Sequence, residues 1–348
     1  MARILSIDLG KFKSVACFYQ APTEDHVFQT VPTRPQALHD LIVAYSPDRV
    51  VIEVGNQAGW VKDLCVGLEV PIEVANPNHE GWRWKNVKRK TDRDDALKLA
   101  KLSAVGQLPT VQLPDAATRQ WRALITYRSK LVSRRTAIKN SIRSLLDRQG
   151  YWTTVGRGAW SMAGLKRLRE LSGDLNEVEA HDLWRSQLSM ELSALDQVQG
   201  MIDQVSQRLD AIGSQDARVE RLRTIPGVGP RLAEVVVATL DDPHRFKSRR
   251  EVAAYAGLVP RQFESGTMSR QGRITGSGSK LMRALLVEVS WMMKQHNPAM
   301  HQIATKVARG SKTRKKIAII ALARRLLIVC WAMLRDQTDW REPAAKAA

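Results

Sequence analysis

Cysteine is scarce in this chain: three among 348 residues, Cys17, Cys65 and Cys330. They stand far apart, show no metal-ligand spacing and lie among apolar neighbours, so buried free thiols are expected and no chemistry is assigned to them. Long apolar runs are missing as well. No segment reaches the roughly 18 uninterrupted apolar residues of a membrane-spanning helix, and the amino terminus enters a strand rather than a signal peptide. The expectation is a cytoplasmic protein associated with the nucleoid, with no membrane partner.

Acidic residues are also short, 35 against 54 Lys and Arg, which leaves a formal charge of +19. The excess is uneven. Residues 1–80 carry 6 basic and 10 acidic side chains, 81–148 carry 17 and 5, 149–220 carry 7 and 11, and 221–348 carry 24 and 9. Two basic blocks alternate with two mildly acidic ones, which argues for two separate anionic contacts, most simply nucleic-acid backbones. Between Asp115 and Asp147 no acid balances Arg122, Arg128, Lys130, Arg134, Arg135, Lys139 and Arg143, so the helix expected there faces nucleic acid. Candidate contacts are Lys88, Arg89, Lys90, Arg128, Arg134, Arg135 and Lys139 in the first block. In the second they are Gly227, Gly229, Arg261, Arg270, Arg273, Lys315 and Lys316. Charge does not say which block holds which nucleic acid.

Against this background four carboxylates stand out. Asp8 ends the apolar run Ile4-Leu5-Ser6-Ile7, Glu53 ends Val50-Val51-Ile52, and Asp92 and Asp95 open a helical stretch. Each run is short and followed by Gly within two residues, the pattern of a buried strand delivering a carboxylate at its end. Asp92 and Asp95, at i and i+3, share one helix face. A turn or cap role accounts for any one of these acids singly. The four together point to a divalent-metal site, and an all-oxygen donor set suits Mg²⁺ or Mn²⁺ rather than zinc.

Strands over residues 3–9, 14–20, 27–32, 49–54 and 71–75, with helices over 34–46 and 58–68, predict a β-meander followed by helix, strand, helix, strand. This is the layout of a ribonuclease H-like α/β domain. Helical spacing holds over 92–102 and 116–149. Residues 150–190, rich in Gly and carrying Trp152, Trp160 and Trp184, read as a small insertion or a loose connection. From 188 to 212, Leu188, Leu192, Leu195, Val198, Ile202, Val205 and Leu209 recur at steps of three and four. That stripe is either a short coiled-coil seam, which implies self-association, or the inner face of a bundle helix. Ile225-Pro226-Gly227-Val228-Gly229 ahead of a helix over 231–240 looks like the turn of a helix-hairpin-helix module, whose helix amino terminus offers N–H groups to a phosphate. Helices are expected near 248–256, 280–295 and 315–335. The polar Gly/Ser segment from Arg261 to Lys280 cannot form a core and is expected to be a disordered or catalytic loop. The expected fold class is α/β, with four parts: a ribonuclease H-like domain, RuvC-like by the resemblance given below, with its basic helix at 1–149, an insertion and coiled-coil helix at 150–215, a mainly α domain at 216–340, and a disordered tail at 341–348.

Several strings then combine: Ile7-Asp8, Ile52-Glu53-Val54-Gly55, Asn76-Pro77, Lys90-Thr91-Asp92-Arg93-Asp94-Asp95-Ala96, Ile225-Pro226-Gly227-Val228-Gly229, and Ala256-Gly257-Leu258-Val259-Pro260-Arg261 continuing through Glu264-Ser265-Gly266 to Arg273. On these residues the chain resembles, over nearly its whole length, the DEDD recombinases of bacterial insertion sequences. Those are transposases guided by a bridge RNA, and their relatives include pilin-gene invertases. The resemblance implies a metal-binding tetrad of Asp8, Glu53, Asp92 and Asp95, and a transposase domain whose serine nucleophile is Ser265. Ser269, Ser277 and Ser279 share the same segment, and only the Glu-Ser-Gly match favours Ser265. It further implies a covalent phosphoserine link to DNA. Its partners would be donor and target duplexes, a structured non-coding guide RNA that selects them by base pairing, and further copies of the chain in a tetramer, a dimer of dimers.

Three other readings compete. A metal-dependent nuclease, such as a Holliday junction resolvase, would use the four acids to activate water and leave no protein adduct, but has no need of the second half of the chain. A non-enzymatic nucleic-acid-binding protein would be expected to have lost part of the tetrad. A sugar-kinase-like ATPase would match Asp8-Leu9-Gly10-Lys11 to its first phosphate loop but lacks a second one in strand context.

Overall fold

The computed structural model describes residues 2–77, 91–151, 157–265 and 268–341; the candidate contacts Lys88, Arg89 and Lys90 and the tail from residue 342 lie outside the described residues. The chain forms two compact units, Met1–Arg119 and Gln120–Ala348.

In the first unit, β1 (Arg3–Asp8), β2 (Lys13–Gln20) and β3 (His26–Pro32) form an antiparallel meander. β4 (Arg49–Glu53) and β5 (Ile72–Ala75) join in parallel on the other side of β1, in the order β3-β2-β1-β4-β5. Parallel neighbours require crossovers, which α1 (Pro35–Tyr45) and α2 (Ala58–Gly67) supply. Strand alternation splits the apolar residues between two faces. Leu5, Ile7, Val50 and Ile52 pack with Leu38, Ile42, Val61 and Cys65 of α1 and α2. Ile4, Cys17, Val51 and Ala75 pack with Ala96, Leu99 and Ala100 of α3 (Asp92–Ala104). A sheet covered on both sides is why β1 and β4 read as nearly continuous apolar runs.

In the second unit, α4 (Ala116–Arg148) lies antiparallel to α6 (Leu183–Gly213). Arg128 Nε donates to Ser206 Oγ at 2.7 Å, Arg135 Nη1 to Gln199 Oε1 at 2.9 Å, and Ser141 Oγ to Glu191 Oε1 at 2.7 Å. The α6 stripe of Leu188, Leu192, Leu195, Val198 and Ile202 is buried against Leu131, Ile138, Ile142 and Leu145 of α4. The stripe is therefore consumed inside the chain, and self-association does not follow from it. Leu168 of α5 (Met162–Leu171), a helix in the segment expected to be irregular, joins the same cluster.

The remaining helices are α7 (Ala217–Arg223), α8 (Pro230–Leu240), α9 (Arg249–Tyr255), α10 (Lys280–His296), α11 (Pro298–Ala308) and α12 (Lys315–Asp336). Leu222, Ile225, Val236, Val252, Leu286 and Leu327 form the centre of their core. α12 is long and apolar enough in composition to cross a membrane, but 56% of its most apolar stretch is buried within the fold, and Arg324-Arg325 interrupts it, so it serves as a core helix. All three cysteines are free and buried, and burial pushes the Cys17 thiol up to about 11 and those of Cys65 and Cys330 up to about 12.

The expectation for residues 261–280 is corrected. Instead of a loop throughout, β6 (Pro260–Ser265) and β7 (Met268–Ile274) form an antiparallel hairpin, and α10 begins at Lys280. Almost nothing in it is buried, so its shape comes from backbone interlock at its base. A Cβ at Gly278 (φ +69°) would overlap the carbonyl oxygen of Tyr255, and one at Gly257 (φ +67°) would overlap the backbone of Ser277. With no side chain at either position, Gly276 N–H reaches Gly257 O at 3.2 Å and Thr275 N–H reaches Val259 O at 2.9 Å.

Candidate active site

The four acids come from three elements of the first unit. Ile7 pairs with Ile52 in the parallel ladder, so the next residues, Asp8 and Glu53, end adjacent strands about 4.8 Å apart. Ile7 and Ile52 face α1 and α2, and alternation therefore turns Asp8 and Glu53 to the opposite face, the one covered by α3.

Two tie points set the direction of α3. Arg49 Nε at the start of β4 donates to Ser103 Oγ at 2.7 Å, and Ser103 Oγ donates to Glu73 Oε2 at 2.6 Å. Ser6 Oγ, midway along β1, donates to Ala96 O at 2.6 Å. The helix thus runs antiparallel to β1 and β4, with its amino terminus toward their carboxyl ends. Two residues from Ser6 to Asp8 span about 6.6 Å of strand, and four residues from Ala96 back to Asp92 span about 6 Å of helix, so the acids come level. Asp95 continues the inner stripe of Ala96, Leu99, Ala100 and Ser103 and is only 8% exposed. Asp8 and Glu53 are half-buried, and Asp92 is exposed.

The neighbouring Asp94 has a different task. Thr91 is the helix N-cap: its side chain accepts from Asp94 N, while Asp94 Oδ2 accepts from Thr91 N at 3.0 Å and from Thr91 Oγ1 at 2.6 Å. These bonds hold the Asp94 carboxyl below its usual range. The reciprocal box starts the helix and leaves Asp92 and Asp95 out of the capping. The Thr91-x-x-Asp94 spacing was its signal in the sequence.

Among the described residues no group of three or more His, Cys, Asp or Glu is placed to hold a metal ion. The tetrad shares one face and one end of the sheet without forming a closed cage. Its donor chemistry fits a hard divalent cation, because all donors are oxygens and three of the four are at least partly accessible to water or phosphate oxygens.

Ser265 lies in the second unit, as the last residue of β6 opposite Met268, and is exposed. Its rivals are placed differently. Ser279 caps α10, accepting from Met282 N at 3.2 Å, and Ser277 Oγ donates to Ala254 O at 3.3 Å. Ser269 pairs with Glu264, one step along the ladder and so on the other face of the hairpin.

The basic candidates divide as well. On α4, Arg128 and Arg135 bond to α6 as above, and Lys139 stands 4.8 Å over the Trp160 ring. Burial holds both the Arg128 guanidinium and the Lys139 ammonium below their usual ranges. Arg134 is exposed. Arg261, Arg270 and Arg273 are exposed on the hairpin, and Lys315 and Lys316 are exposed at the start of α12. Gly227 and Gly229 lie in the turn between α7 and α8, with Gly229 as the N-cap of α8.

One group escaped the sequence reading. Glu234 of α8 is 1% exposed, and with Arg128 and Arg231 it lines a cavity of about 470 Å³. Its Oε2 lies 3.1 Å from Arg231 Nη1. Desolvation outweighs that attraction and pushes its carboxyl up to about 7. An acid inside an otherwise apolar helix, Leu232-Ala233-Glu234-Val235-Val236, was the available signal.

Comparison with known proteins covers both units. A DEDD-type transposase model of the IS110 kind matches residues 5–150, which include all four acids, and a model for the transposase IS116/IS110/IS902 family matches residues 219–304, which include Ser265. The chain is 29% identical over 304 residues to the transposase for insertion sequence element IS1111A of Coxiella burnetii, covering 84% of this chain and 79% of the relative. It is 28% identical over 343 residues to a protein of Pseudomonas aeruginosa named "Probable family 20 transposase", covering 96% and 98% of the two chains. The pilin gene-inverting protein of Moraxella bovis is 25% identical over 276 residues, 76% of this chain and 73% of its own. With the two transposase models matching in order over about two thirds of its length, the chain belongs to the IS110/IS116 family of insertion-sequence transposases, enzymes of DNA cleavage and transfer.

Proposed function

We propose that this transposase cuts and rejoins donor and target DNA through a covalent phosphoserine intermediate, with Ser265 as nucleophile and Asp8, Glu53, Asp92 and Asp95 as the divalent-metal site. The observation that supports the reading is where the acids stand in the fold: Asp8 and Glu53 end adjacent parallel strands, and Asp92 and Asp95 open the helix that covers the same face of the sheet. These four residues would hold Mg²⁺ or Mn²⁺, which supplies Lewis-acid neutralisation of phosphate charge and lowers the pKa of an attacking hydroxyl. The Ser265 hydroxyl loses its proton as Oγ bonds to phosphorus, and the bond from phosphorus to the leaving deoxyribose oxygen breaks as that oxygen takes up a proton. One phosphodiester replaces another, so the bond energy is kept and a second DNA hydroxyl can displace the serine without ATP.

The resemblance extends the proposal to partners. A structured guide RNA selects donor and target duplexes by pairing, and the protein holds backbones through its two basic blocks, cytoplasmically, at the nucleoid. Four copies, with the serine of one serving the carboxylates of another, make up the working assembly. In domain terms, 1–149 is the RuvC-like part, 150–215 the helical insertion, and 216–340 the serine-bearing transposase part.

The test is covalent trapping of the full chain with Mg²⁺, co-expressed RNA and labelled DNA, resolved under denaturing conditions. A DNA–protein adduct that vanishes with Ser265→Ala is the expected result. Free cleaved ends without adduct, unchanged by the substitution, would replace it with the nuclease reading, in which the acids activate water.

A further inference from the structure

The hairpin that presents Ser265 carries more than the serine. Strand register sets Ser265 opposite Met268 and Phe263 opposite Arg270, so these four side chains share one face. Met268 is 70% exposed and Phe263 is 54% exposed, and the hairpin has no core beneath them. Apolar side chains held in water beside a nucleophile ask for an occupant. The charge names it: Arg270 and Arg261 alternate with them along the ladder, and the one acid of β6, Glu264, points to the other face. A two-stranded ribbon of this kind fits a DNA groove, and exposed Met and Phe are side chains that proteins insert between base steps.

The seat of the ring is built into the backbone. A Cβ at Gly272 would stand 2.8 Å from Phe263 Cε2, so the ring lies across the glycine and is held in place before any ligand arrives.

Resting on the reading of Ser265 as nucleophile, we infer that Met268 and Phe263 are positioning residues that insert into the base stack of the DNA beside the cleaved phosphodiester. They open the step so that the phosphate swings onto Ser265. Unstacking costs free energy, which the apolar contact and the flanking arginines offset. Because Met268 lies directly across from Ser265, with Cβ atoms about 5 Å apart, the wedge and the nucleophile address neighbouring atoms of one nucleotide step.

The test uses the full chain with its co-purified RNA and a duplex carrying the end of the insertion sequence, with 2-aminopurine placed in turn at each step around the cleaved bond. Fluorescence at one step should rise severalfold with wild-type protein and equally with Ser265→Ala. It should return to the free-duplex level with the double substitution Met268→Ala, Phe263→Ala. Adduct formation by the double variant should fall by roughly 10- to 100-fold while duplex affinity changes less than about threefold, since the wedge pays for unstacking rather than for binding. An abasic site at the same step should restore the adduct, a rescue that mere loss of hairpin structure would not allow. Unchanged fluorescence and adduct in the double variant would overturn the inference. So would a loss explained by altered oligomeric mass, or by a signal found only when the probe sits in the RNA. An adduct that persists in Ser265→Ala refutes the nucleophile reading instead, and the aminopurine signal still reports separately on the wedge.

Discussion

The two units present their candidate reactive groups in opposite ways. In Met1–Arg119 the acids stand at the ends of buried strands and on the inner face of a helix, so each position follows from a ladder register or a packing face. In Gln120–Ala348 the serine stands at the end of an exposed hairpin held by interlocked backbone at its base rather than by side-chain burial. Were the acids to hold a metal as proposed, a rigid sheet would keep the strand-end donors in register. On the proposed reading, a serine nucleophile on a two-stranded projection would reach a groove that the body of a domain cannot enter.

The comparison breaks most readily at the tetrad. Asp8→Ala or Glu53→Ala should lower strand cleavage by at least about 1,000-fold, the scale expected when metal-assisted chemistry is removed, while the melting temperature and RNA retention stay near wild type. Cleavage at the wild-type rate in either variant removes that residue from the site. The hairpin side is probed by Gly278→Ala. The substitution forces a side chain into left-handed backbone and against the Tyr255 carbonyl, so it should cost about 2–4 kcal/mol in chemical denaturation. Amide protection in β1 and β4 should be unaffected; a loss there would mean that the units do not carry their sites independently.

The smallest of these effects sharpens the comparison through pH. The Glu234 carboxyl is raised from 4.5 to about 7 by burial, so between these values the folded chain keeps a proton that the unfolded chain releases. Its contribution is therefore fully present below about pH 4.5 and is lost as pH rises to about 7, a change of about 3 kcal/mol at most. Glu234→Gln should remove that downward slope relative to wild type in urea titrations across the window. Parallel slopes in the two proteins would show that the carboxyl titrates normally.

Legibility followed the same division. All five strands of the first sheet were readable to within a residue or two, because Val and Ile runs of strand length leave few alternatives once Gly and Pro bound them. The helix at Asp92 was readable from its helical apolar spacing, and its Thr91–Asp94 cap emerged only in the structure. The hairpin from Pro260 to Ile274 was not, because its strands carry Gln, Glu, Ser, Arg and Gly, and neither face shows apolar alternation. Its cause lies in backbone contacts between residues 255–257 and 276–278, which no local pattern records. On α4 composition counts charge, while Ser206, Gln199 and Trp160 set where the Arg128, Arg135 and Lys139 side chains lie within the chain.

By itself the sequence determined the elements of the first unit, the strand-end and helix-start positions of its four acids, and a net charge that favours a polyanionic partner. Those are consequences of local periodicity, capping and composition. Tertiary structure alone decided that the α6 stripe is spent on α4, that a Gly/Ser segment is an ordered hairpin with Met268 and Phe263 beside Ser265, and that Glu234 is buried at the edge of ionisation. These depend on which surfaces distant in sequence come to cover one another, and burial, register and desolvation exist only once they do.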